Sequence, residues 1–106
     1  MPHIAPSLRA PLDPLIEALA FEVTRLAATG PYDDTNAQSL QLEGVLNYTF
    51  TRLGVLTLPA RRYWAMSLIR HAMVNAADEW YRRVMVPYED DQADKNGDVY
   101  SELFRD

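Results

Sequence analysis

The sequence predicts an all-α fold: a small bundle of three helices with a long third helix, an extended Pro-rich N-terminal arm and an acidic C-terminal clasp. Two observations carry this reading. Apolar residues recur at steps of three and four along three separate stretches, and no stretch alternates convincingly with the period of two that marks a half-buried strand. Each stretch also runs into a glycine or proline, at Gly30 and Pro31, at Gly54 and Pro59, and at Pro87. With 106 residues, 48% of them hydrophobic, the chain has the size of a single domain spanning 1–106. A domain of this size buries roughly two-thirds of the surface its unfolded chain exposes.

The elements follow in order. Pro2, Pro6, Pro11 and Pro14 fix φ and remove backbone donors, so residues 1–12 read as an extended arm. Asp13 is then a good N-cap with Pro14 at the first helical position, and Leu15, Ile16, Leu19, Val23 and Leu26 form the stripe of a first helix. It should stop near Gly30 and Pro31, before a turn-rich stretch at 32–39. Leu42, Val45, Leu46, Thr49, Phe50 and Leu53 mark a second helix, whose interior Gly44 reads as a close helix crossing. The third runs from Arg61 or Arg62 to Val86, about 36 Å at 1.5 Å per residue. Met66, Ile69, Met73, Ala76 or Ala77, Trp80 and Val84 lie on one of its faces. On the opposite face Asp78 and Arg82, and Glu79 and Arg83, stand at the stabilising i, i+4 spacing. The helical core therefore spans 13–86 and an acidic tail 87–106.

A second stripe on the third helix, Ala65, Leu68, Ala72 and Ala76, needs a cover. Another copy of the chain is the expected one, because homo-oligomers commonly bury a self-complementary face. The alternative is the proline-rich arm folding back.

Composition excludes several classes. Without cysteine there is neither a disulfide framework nor a thiolate metal site, which suits a cytoplasmic location. No apolar run approaches the roughly 18 residues of a membrane span, and the N-terminus lacks the pattern of a secretory signal. The net charge of −5 lies wholly in residues 89–106. The other 88 residues balance eight acids against eight arginines, a poor match to duplex nucleic acid, which needs a net basic face.

Chemistry is sparse. His3 and His71 sit on different segments and His71 has only Asn75 one turn on, so a metal centre is not expected. Aligning Gly97 with the glycine of a calcium loop leaves Gln92 at its first position and Leu103 at its last, so "KNGD" reads as a turn instead. Val99, Tyr100, Leu103 and Phe104 would then dock as the clasp. No serine has a nucleophile-elbow setting and no glycine-rich loop is present, so neither enzyme nor cofactor is expected. The strongest constellation joins Tyr48 and Arg52, one turn apart, with Tyr81, Arg82 and Arg83, because arginine beside an aromatic can stack a base and pair a phosphate. The alternative is structural: Arg82 and Arg83 favour the helix dipole and neutralise Asp78 and Glu79.

The blocks "LNYTFTRL" (46–53), "EWYRRVMVPYED" (79–90) and "NGDVY" (96–100) resemble a family of small uncharacterised proteins found in bacteriophages and bacterial genomes. The resemblance covers roughly residues 12–100; Trp80 replaces the usual phenylalanine, and residues 63–77 match only in spacing. It implies a phage or prophage origin and brings no activity. If its blocks act together, the break at Pro87 would place Glu89 and Asp90 back against Arg52, Arg82 or Arg83. The expectation is thus a non-catalytic, homo-oligomeric binding protein of the bacterial cytoplasm that sequesters a small anionic signalling nucleotide to counter host defence. An inhibitor or adaptor acting on a host protein is the alternative.

Overall fold

The computed structural model describes residues 4–29, 35–97 and 100, with the side chains of 35–37 left aside. Helices α1 (Pro6–Ala27), α2 (Thr35–Thr57) and α3 (Tyr63–Trp80) are followed by a π-helical segment (Tyr81–Met85) and α4 (Val86–Asn96). No strand occurs among the described residues, so the fold is all-α as predicted. The chain groups into two compact units, residues 1–57 and 58–106.

In the first unit the extended arm gives way to helix. Ala5 holds an extended backbone, and its carbonyl accepts from the amides of Leu8 (2.9 Å) and Arg9 (3.1 Å). Pro6 then occupies the first helical position, where its missing N–H leaves no helical bond unmade. The predicted start at Asp13 and Pro14 is overturned because a proline's fixed φ is itself helical. Pro11 and Pro14 lie inside α1, and what they withhold are the donors for the carbonyls of Ser7 and Ala10. Both of those residues are exposed, where solvent can take the carbonyls.

At the other end Gln41 Nε2 donates to the carbonyls of Leu26 and Thr29, each at 2.7 Å, and so ties α2 to the last turn of α1. Thr29 Oγ1 also donates to Leu26 O. Val23 and Ala27 are buried beside this tie. The glycine–proline stop at 30–31 lies outside the described residues, and α2 already begins within the stretch read as turn-rich.

In the second unit α3 begins at Tyr63 behind an extended Arg62. Ala65, assigned by the sequence to the spare stripe, is its fully buried residue, whereas Met66, Met73 and Trp80 of the expected core face remain exposed. The expected end near Val86 and Pro87 is also corrected. From Tyr81 the helix widens to the π register, in which the Val86 amide donates to Tyr81 O, and then resumes as α4 with Pro87 in its first turn. The widened turn directly before it accommodates the ring, so the proline does not stop the helix. The acidic segment is therefore helical to Asn96, with Lys95 Nζ 3.0 Å from Asp91 Oδ2. Gly97 ends it at φ +83°, a conformation suited to glycine, and its amide bonds Ala93 O at 2.8 Å. Of the predicted clasp only Tyr100 is described, and it is exposed; Val99, Leu103 and Phe104 lie outside the described residues.

The double variant Pro11→Ala/Pro14→Ala should gain helical signal in far-UV circular dichroism and unfold at higher denaturant. Each restored donor is worth up to about 3 kcal/mol. An extended arm would instead leave the helical signal unchanged and lose the stiffness that proline lends.

Candidate functional site

Tyr81, Arg82 and Arg83 open the π-helical segment, directly after Glu79 in the last turn of α3. Arg82 Nη2 lies 2.9 Å from Glu79 Oε2 and Arg83 Nε lies 2.7 Å from Glu79 Oε1. One carboxylate therefore engages both guanidinium groups, at i, i+3 and i, i+4 spacing. The sequence had assigned Arg82 to Asp78; Glu79 takes its place because its longer side chain presents one oxygen to each arginine. The hydrogen bond from Arg83, and after it that from Arg82, holds the Glu79 carboxyl below its ordinary range. The arginine side chains keep 54% and 63% of their surface, enough to meet a ligand from solvent.

Glu89 and Asp90 do not fold back onto this pair. The helix continues through Pro87, so Glu89 stands six residues beyond Arg83, about 9 Å along the axis. The neighbouring Asp91 pairs with Lys95 on α4 itself.

Tyr48 and Arg52 lie one turn apart on α2, in the first unit, and both are exposed. Tyr48 lines an open groove with Leu40, Glu43, Gly44, Asn47 and Thr51. The two arginine–aromatic groups thus belong to different units, and each stands on its own geometry. Within the first unit no described atom lies within 4 Å of a Cβ added at Gly44, so the close crossing expected there has no partner among that unit's described residues.

Sequence reasoning missed three features. Gln41 carries the tie between α1 and α2; a polar residue among the apolar steps of α2 was its only signal. Arg25 grips Glu22 through two bonds of 2.8 Å and lowers its carboxyl, at a spacing of three that the sequence displays. Leu40, Gly44 and Tyr48 line one groove, at steps of four. Among the described residues no group of three or more His, Cys, Asp or Glu could hold a metal ion, and no helix is long and apolar enough to cross a membrane.

The model of a family described as "Domain of unknown function (DUF6899)" matches residues 1–99. This agrees with the resemblance to an uncharacterised family. Neither a curated protein nor a solved structure matches significantly.

Titration of the Glu79 carboxyl by NMR should give a midpoint below that of an ordinary glutamate. Arg83→Ala should raise it more than Arg82→Ala. Because the folded value is depressed, whatever the pair adds to stability is present above the unfolded pKa and fades as pH falls through the folded one.

Proposed function

The chain belongs to that family, and from its own residues we propose that it is a non-catalytic, homo-oligomeric binding protein that sequesters a small anionic signalling nucleotide. The observation that carries this reading is the exposed Tyr81–Arg82–Arg83 turn, in which two guanidinium groups share one carboxylate. Arginine stays protonated and offers only donors, so this pair is suited to holding an anion rather than moving a proton. Tyr81 adds an aromatic face beside it, 48% exposed and able to stack a base. Tyr48 and Arg52 supply a second aromatic–arginine pair on α2. A phage or prophage origin, with a role against host defence, rests on the resemblance of the sequence blocks.

A second reading, an adaptor or inhibitor that grips a host protein, is favoured by adjacent aromatics at the start of α3. Tyr63 is 85% and Trp64 59% exposed, and such residues often anchor protein interfaces.

A thermal-shift screen with linear and cyclic nucleotides and NAD-derived molecules separates the two. A ligand at about a hundred times its Kd should stabilise by roughly 2.7 kcal/mol. The expected result is a selective shift that Arg82→Ala/Arg83→Ala abolishes while circular dichroism stays unchanged. A full panel without a shift, or a shift that the double variant keeps, would remove the nucleotide from this site.

A further inference from the structure

The last turn of α4 closes on Asn96 and Gly97, and two contacts hold it. The Gly97 amide donates to Ala93 O at 2.8 Å, and Asn96 Nδ2 donates to Gln92 Oε1 at 3.2 Å. Both run back one turn along the same helix, so they depend on nothing outside residues 92–97. An asparagine followed by glycine is chemically labile. The glycine residue carries no side chain to hinder its nitrogen from approaching the asparagine Cγ, and its backbone rotates more freely than any other.

We propose that Asn96 is a site of self-modification, at which the side-chain amide is lost to ring closure by the Gly97 nitrogen and the last turn of α4 controls the rate. In the first step the Gly97 nitrogen gives up its proton to solvent base and attacks Asn96 Cγ. The N–Cγ bond forms, the Cγ–Nδ2 bond breaks, and Nδ2 takes up a proton and leaves as ammonia. Water then adds to either carbonyl of the resulting five-membered imide and opens it. Breaking the bond from nitrogen to Cγ leaves aspartate at position 96. Breaking the bond from nitrogen to the main-chain carbonyl carbon leaves isoaspartate, with the chain now running through the side chain. The sum converts amide and water to carboxylate and ammonium, with no oxidant, reductant or cofactor.

Folded α4 opposes each part of the first step. The proton that must leave is engaged with Ala93 O, and the departing amide is held by Gln92. Asn96 is helical, whereas a planar ring through its Cα, Cβ and Cγ needs ψ well outside the helical range. Closure therefore waits for local opening, and helix ends open at the smallest free-energy cost. The product then disfavours reclosing. A carboxylate at the C-terminus of a helix faces the negative end of its dipole, and it cannot donate to Gln92 as the amide did. Isoaspartate also adds a carbon to the backbone and so breaks the helical register. The change runs one way: opening of the turn permits it, and it keeps the turn open. It needs no ligand and stands apart from the nucleotide reading.

The test follows the full chain during incubation at mildly alkaline pH, with and without denaturant, by peptide mapping with mass spectrometry that separates aspartate from isoaspartate. Wild type, Gln92→Ala and Gly97→Ala are compared, and Asn36, Asn47 and Asn75, followed by Ala37, Tyr48 and Ala76, are internal references. We expect folded wild type to convert at Asn96 ahead of the three references, several-fold more slowly than in denaturant. Gln92→Ala should speed the folded reaction and leave the denatured one unchanged, and Gly97→Ala should suppress both. The Asn96→Asp variant should lose helical signal in circular dichroism. Folded wild type that converts no faster at Asn96 than at the references overturns the site. Equal rates with and without denaturant, or a folded Gln92→Ala that converts no faster than wild type, overturn control by the last turn of α4.

Discussion

Apolar helix surface without a cover is the constraint on which the rest of this chain depends. Only Val23, Ala27 and Ala65 among the described hydrophobic residues are buried, while Leu15, Phe21, Leu40, Leu56 and Trp64 each keep more than half of their surface. A helix with apolar residues on several sides is ordinarily an interior helix. Within the first unit the α1–α2 tie through Gln41 orients the pair without enclosing it, since a bond to two carbonyls fixes direction but removes little apolar area from water. Any further burial of these side chains would add stability in proportion to the apolar area removed from water.

Proline sets the second constraint, and it acts differently at the two ends of the chain. In α1 the helix tolerates Pro11 and Pro14 by leaving two exposed carbonyls without an amide donor. Around Pro87 the backbone instead changes register: the bond from Val86 to Tyr81 O widens the turn immediately before the proline and makes room for its ring. The same widening houses Tyr81, Arg82 and Arg83. The arginine pair and the proline are thus one structural arrangement, which gives a physical reason for the Tyr-Arg-Arg and Pro-Tyr-Glu-Asp blocks to stand together.

Much of the fold was legible because helix class depends on periodicity, and the steps through Leu42, Val45, Leu46 and Phe50 survive any error in boundaries. Boundaries failed where proline was read as a stop, at Pro6 to Pro14 and at Pro87, since its fixed φ suits a helix and only its lost donor opposes one. Burial was less legible. Ala65 looked like part of a spare stripe and proved buried, because periodicity identifies a face but not which neighbour covers it. At the candidate site the residue types and the Glu79–Arg83 pair were legible from the spacing of four, whereas the contact of Arg82 with the same carboxylate, at a spacing of three, was not.

The shared carboxylate also bears on what the arginines could bind. Each guanidinium already satisfies part of its donor set on Glu79, so an incoming anion must compete with a carboxylate tethered one turn away. A monoanion offers no more charge than Glu79 and lacks its tether. An anion with two or more phosphoryl charges could meet both arginines at once, and Tyr81 could hold an attached base by stacking. Glu79 would then act as a filter: without it the adjacent like charges of Arg82 and Arg83 would accept small anions indiscriminately. Specificity in this reading comes from a residue that opposes binding, the usual means by which a charged surface rejects the wrong partner.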